Sequence, residues 1–137
     1  MNEAALELPD GIVDRTTTHV QMSTPSGARS IFLVQRLDIA PGLTLRAACL
    51  SHVRDAQTRV SGYTVLFERE GAVDGAPAME VGVRWRDDTG EPVYTRQAHL
   101  FLGRRWTIIA IEGPIAAREE LDAILENSLG SMRIRGD

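Results

Sequence analysis

MEVGVRWRDDTGEPVYTRQAHLFLGRRWTIIAIE, residues 79–112, is the stretch on which the fold turns. Met79, Val81, Val83 and Trp85 alternate with Glu80, Gly82, Arg84 and Arg86, the two-residue period of a strand with two different faces. Asp87-Asp88-Thr89-Gly90-Glu91-Pro92 reads as a turn, because Asp and Gly accept the dihedral angles that reverse a chain. A second run covers 93–102, and Gly103-Arg104 is short enough to close a hairpin. A third run, 106–111, ends at Gly113-Pro114. The three runs predict an antiparallel meander, and the rest of the chain must extend its sheet or cover it.

Upstream, 12–22 predicts a first strand, its threonines suited to a pleated surface. Residues 30–37 predict a second strand, apolar on both faces, with Phe32 and Val34 pointing one way and Ile31 and Leu33 the other. Two-sided apolarity means that both faces meet something. One is the core, and the other meets a helix, a second subunit or a ligand. Pro41-Gly42 breaks the chain before a helix over 44–59, where Leu45, Cys49, Val53, Ala56 and Val60 form an apolar stripe. Residues 63–69 predict a third strand and 71–75 a turn into the meander. A second helix is expected over 115–129, with Gly130 as a left-handed cap and a short terminal strand over 131–135. The fold class is therefore α+β: a curved, antiparallel six-stranded sheet with two helices. Two helices are too few to cover six strands, so part of one face is a candidate working surface.

With 137 residues, the chain is expected to form one domain, 1–137 with its core about 6–135, and to need neither disulfide nor metal. A formal charge of −4 argues against nucleic acid as a partner. Every basic residue except the histidines is arginine, which reads mainly as genome composition. The N-terminal residues lack the basic and apolar regions of a secretory signal, and no apolar run reaches the ~20 residues that span a bilayer. A cytoplasmic protein without direct membrane insertion is expected.

No catalytic constellation presents itself. Cys49 and His52 lie three apart on the first helix, the spacing of a conceivable nucleophile–base pair, but the simpler reading is a small core residue beside a flanking histidine. His19, His52 and His99 show no metal-ligand spacing, and no phosphate loop or G-x-S-x-G occurs. No enzyme activity, metal or cofactor is expected. The strands do mix polar and apolar residues: Arg96-Gln97 lies mid-strand, and Arg84 and Arg86 flank Trp85. One reading is a solvated face. The other is a groove lined by Ile31, Leu33, Val60, Gln35 and Gln97, suited to an apolar partner with polar groups to satisfy, such as a membrane-spanning helix held in water.

Leu8-Pro9-Asp10-Gly11, Asp14-Arg15-Thr16 and Ser30-Ile31-Phe32-Leu33-Val34, in that order, resemble the opening of DcrB-like domains. So does the block Gly75-x-Pro77-Ala78, Val83-x-Trp85 and Tyr94-x-Arg96-Gln97-Ala98. The similarity spans nearly the whole chain and is greatest to the cytoplasmic branch of that family, the Eag chaperones of bacterial type VI secretion. It implies a Mog1/PsbP-like fold and a non-catalytic homodimer. It also implies binding of the N-terminal transmembrane helices of PAAR- or Rhs-type toxic effectors, shielding them and aiding their loading on the secretion spike. The client-binding positions it implies are Thr17, His19, Ile31, Leu33, Gln35, His52, Val60 and Gln97. Thr17 and His19 stand where larger aliphatic residues are usual, and His52 where a glutamine is usual, so the implied rim is more polar. The alternative is a generic Mog1/PsbP-like protein-interaction or small-ligand module, engaging a folded partner through Arg84, Arg86 and Arg96.

Overall fold

A computed structural model describes residues 16–134. The described residues form six strands: β1 (Thr16–Ser23), β2 (Arg29–Asp38), β3 (Thr64–Val73), β4 (Ala76–Arg86), β5 (Pro92–Leu102) and β6 (Arg105–Pro114). Helix α1 (Leu45–Arg59) separates β2 from β3, and α2 (Arg118–Ser131) follows a 3₁₀ turn at Ile115–Ala117. The expected α+β sheet is present, antiparallel throughout, in the order β1-β2-β6-β5-β4-β3. The β1–β2 hairpin thus joins the meander through β6, and α1 carries the chain across one face to the far edge.

The turns follow local chemistry. Asp74 and Gly75 both take positive φ, +47° and +82°, the two-residue hairpin geometry that Asp-Gly favours. The β3–β4 hairpin is therefore tighter than the turn expected over 71–75, and both strands run up to it. Asp87 Oδ1 accepts from Thr89 N (2.9 Å), Thr89 Oγ1 (2.7 Å) and Glu91 N (3.0 Å), fixing the β4–β5 turn. Thr44 caps α1, its hydroxyl accepting from Ala47 N at 3.1 Å.

The helices lie on opposite faces. Leu121, Leu125 and Leu129 of α2 bury against Tyr94, Ala98 and Leu100 of β5 and Ile109 and Ile111 of β6. Cys49 and Val53 of α1 bury against Met79, Val81 and Val83 of β4. Phe32 of β2 joins the α2 side, leaving Ile31 and Leu33 on the α1 side, as the two-sided pattern requires. A bulge between Val65 and Phe67 shifts β3 by one residue, so Val65 reaches the α1 side and Phe67 the α2 side. Phe67 lies flat on Gly82, its cross-strand partner; a Cβ there would meet the ring at 2.1 Å. Gly82→Val is expected to expel the ring and cost about 1–3 kcal/mol, the loss of a half-buried aromatic contact, read by chemical denaturation.

The C-terminus departs from expectation. Helix α2 continues through Gly130 to Ser131, so Gly130 is not a left-handed cap, and Met132–Ile134 form no strand. Ile134 N instead donates to Asp74 Oδ2 at 2.7 Å, tying the segment to a hairpin tip rather than a ladder. The expected residues 12–15 of the first strand, the motif segments 8–11 and 14–15, and Arg135 lie outside the described residues.

Candidate functional site

Because side chains alternate along a strand, register assigns each residue to a face. On the α1 face, Thr17 pairs with Gln35 and Ile108, His19 with Leu33 and Ala110, and Gln21 with Ile31 and Glu112. The rows continue into β5 as His99, Gln97 and Thr95. Helix α1 packs over β4 and β5. Among the described residues no helix packs mainly on the β6-β2-β1 half of the face, whose floor is a strip of Ile31, Leu33, Ala110 and Ile108. Ile31 and Leu33 remain half-buried, while Ile108 and Ala110 are enclosed by their neighbours.

Six of the eight sequence-predicted positions share this face. Thr17 is half-buried and His19 exposed on β1, and Gln35 is half-buried on β2. Gln97, 7% exposed, is turned to another use: its Oε1 lies 2.8 Å from His99 Nε2. His99 Nδ1 accepts from Trp106 Nε1 at 3.1 Å, so its proton sits on Nε2 and is donated to Gln97. The ring of His52 stands edge-on to His99 at 5.2 Å and to Trp106 at 6.2 Å, closing the border between α1 and the open floor. Burial holds the His52 pKa below its ordinary value, with Asp55 opposing. Burial, with repulsion from His52, takes His99 down to about 3. Tyr63 adds a buried hydroxyl close to Gln97 without completing a well-formed hydrogen bond. Val60 lies elsewhere, at the C-terminal cap of α1 beside the Ser61–Arg86 backbone bond. That is on the β4 side, three strands or roughly 14 Å from β2.

Sequence reasoning missed the β6 contribution, Ile108, Ala110 and Glu112, together with the arm that holds Glu112. Thr95 Oγ1 donates to Glu112 Oε2 at 3.0 Å and accepts from Trp85 Nε1 at 2.8 Å. Burial pushes the Glu112 carboxyl above its ordinary pKa, although Thr95 and His19 pull it back. The alternation in Ile108-Ile109-Ala110-Ile111-Glu112 was a readable signal for two occupied faces. The strand beside which it lies was not.

The other candidates resolve differently. Cys49 is 1% exposed in the α1 core, and burial pushes its thiol up to about 11, with Glu68 adding to it. A nucleophile needs the opposite shift. Arg96 is 3% exposed and faces α2, where it meets Glu80 at 2.6 Å, Glu126 at 2.9 Å and Asp122 at 3.3 Å. It is therefore withdrawn from any exposed patch with Arg84 and Arg86, and Arg86 itself donates to Gly90 O at 2.9 Å within its own turn. Among the described residues no group of three His, Cys, Asp or Glu could hold a metal ion. No described helix is long and apolar enough to cross a membrane.

This architecture has a solved counterpart. The crystal structure of PA94 from Pseudomonas aeruginosa, a protein described as of unknown function and as a candidate regulator, superposes with a TM-score of 0.81. The match covers 96% of this chain and 92% of that one at 14% identity, a likeness of fold alone. No curated protein sequence matches the chain significantly. The DcrB family model matches residues 3–131, nearly the whole length, and the chain belongs to the DcrB family.

Proposed function

We propose that this DcrB-family chain is a non-catalytic chaperone that holds apolar, membrane-destined helices of a secreted toxic effector in water. The observation that carries the reading is the pair of half-buried apolar side chains Ile31 and Leu33, which belong to neither packed core and lie beside the buried Ala110 and Ile108, edged by His19, Gln35 and His52. Apolar surface in such a strip gains about 25 cal/mol per Å² when a client covers it. The polar edge supplies partners for small-residue backbone surfaces on the client. In its sharper form the client is the N-terminal transmembrane region of a PAAR- or Rhs-type effector of type VI secretion. The chaperone then acts in the bacterial cytoplasm as a homodimer that presents two grooves. It needs no cofactor. Binding works by mass action, and release follows when the helix finds a membrane or the spike.

The test is affinity purification from the native cells with mass spectrometry, repeated with Leu33→Asp and Ile31→Asp. Both side chains are half-buried and belong to neither packed core, so circular dichroism should stay that of the parent protein. Recovery of a partner with apolar N-terminal segments should fall at least about 100-fold, since each change loses an apolar contact of about 1.5–3 kcal/mol and buries a charge. Undiminished recovery would remove the groove assignment. The second reading is a generic interaction or small-ligand module, for which the cleft lined by Trp85, Ile31 and Glu112 is the favouring feature. A soluble partner whose binding weakens steeply with salt would support it.

A further inference from the structure

We infer that Glu112 receives a basic side chain at one end of the bound apolar segment, so that the groove accepts its client in one direction. The inference rests on the client-helix reading and deepens it. Glu112 stands in the end row of the floor, between Ile31 of β2 and Thr95 of β5. It is a half-buried acidic side chain in a row otherwise apolar or neutral.

Its orientation is built in. Trp85 Nε1 donates to Thr95 Oγ1, which directs the single hydroxyl proton of Thr95 at Glu112 Oε2. The second carboxylate oxygen, Oε1, has no hydrogen-bond partner among the described residues. Glu112 lines a cleft that continues the floor past Ile31, with Gln21, Trp85 and Val93 in its walls. Arg29 is the cation lining this cleft, set against Asp87, Glu91 and Glu112, so the balance favours an incoming positive charge. Asp87 is already engaged by its own turn and Glu91 is exposed to solvent, which leaves Glu112 as the oriented acceptor.

Geometry places this acceptor where a helix would end. From Leu37 to Ile31 the floor runs about 20 Å along β2, whereas a 20-residue helix is about 30 Å long. A helix lying along the strands therefore overruns the floor, and its flank reaches the cleft. Lys and Arg characteristically bound membrane-spanning segments. A cation beside a partly desolvated carboxylate is held more firmly than in an exposed pair.

The test uses three probes, each a 20-residue Leu/Ala segment fused to a soluble carrier protein. They carry Arg on the N-terminal flank, Arg on the C-terminal flank, or Gln on both. Each is titrated against the parent protein and against Glu112→Gln, an isosteric change that keeps an acceptor for Thr95. One Arg-flanked probe should bind about tenfold tighter than the Gln-flanked one. Glu112→Gln should erase that gain, so that the Arg-flanked and Gln-flanked probes bind the variant alike. Equal affinities for all three, an equal gain from Arg at either end, or a preference that survives Glu112→Gln overturns the inference, while binding of all three still supports the client-helix reading. Binding of none overturns that reading itself.

Discussion

Replacing Arg96 with methionine should destabilise the protein by about 3–5 kcal/mol, the cost of removing one partner from a buried ion network. The guanidinium is the hub between sheet and α2. It donates to Glu80 of β4 at 2.6 Å and to Glu126 of α2 at 2.9 Å, with Asp122 at 3.3 Å and the Phe67 ring beneath it at 5.7 Å. Tyr94 extends the network by donating to Asp122 at 2.7 Å. Burial by itself would lower the Arg96 pKa, but the hydrogen bonds and charges of these carboxylates outweigh it and hold it above its ordinary value. Without the Arg96 cation the three carboxylates keep, among the described residues, only the longer, more exposed ion pairs of Arg69, at 3.5 Å from Glu80 and 3.9 Å from Glu126, and of Arg118, at 4.0 Å from Asp122. Glu80, with a side chain 14% exposed, bears most of the cost, because Glu126 at 58% is largely screened by water.

A native domain is stable by about 5–15 kcal/mol, so Arg96→Met should lower the urea midpoint by a large fraction. Arg96→Lys should recover only part of the loss, having the charge without the fork that engages two helical acids and a strand acid together. Removing Glu80 as well, in Arg96→Met/Glu80→Leu, should restore much of the stability, since an apolar pair tolerates burial. A loss below about 1 kcal/mol in Arg96→Met would mean that solvent screens the whole network.

The second large effect is acid sensitivity centred on His99. Its ring is fully buried, and both nitrogens are committed, Nδ1 to the Trp106 donor and Nε2–H to Gln97. Protonation would require Nδ1 to become a donor facing another donor. The native pKa of about 3 lies below the ordinary 6.5, so between those values the unfolded chain binds a proton that the native state refuses. The contribution is fully present above about pH 6.5 and is lost as pH falls toward 3, on the order of 4–5 kcal/mol over the interval. His52, also shifted downward, adds loss in the same direction.

Stability measured from pH 7 to pH 3 should therefore fall more steeply for the parent protein than for His99→Phe, by nearly one proton in slope. His99→Phe itself should be less stable at pH 7, because Trp106 and Gln97 lose their partner. Paired carboxylates contribute to both proteins below pH 5, so the difference isolates the histidine. An imidazole that titrates near 6.5 by nuclear magnetic resonance would contradict the buried, neutral ring.

The sequence by itself determined the strand–strand–helix–four-strand–helix order, since alternation at 79–112, the turn at Asp87–Glu91, the Gly103-Arg104 hairpin and the two helical stripes are local signals. It also determined that Ile31 and Leu33 face away from Phe32 and Val34, a consequence of the two-residue period alone. It did not determine what those faces meet. Strand order is a non-local choice, and only the tertiary structure set β2 beside β6 and thereby brought Ile108, Ala110 and Glu112 into one floor with Ile31 and Leu33. Only the tertiary structure turned Gln97 inward to His99, because Trp106 arrives from the neighbouring strand with a donor to satisfy. The β3 bulge is likewise invisible in alternation, being fixed by the need for Val65 and Phe67 to reach opposite cores. Periodicity records which way a side chain points. What it touches depends on which distant segment arrives there, and that is settled by packing the whole chain at once.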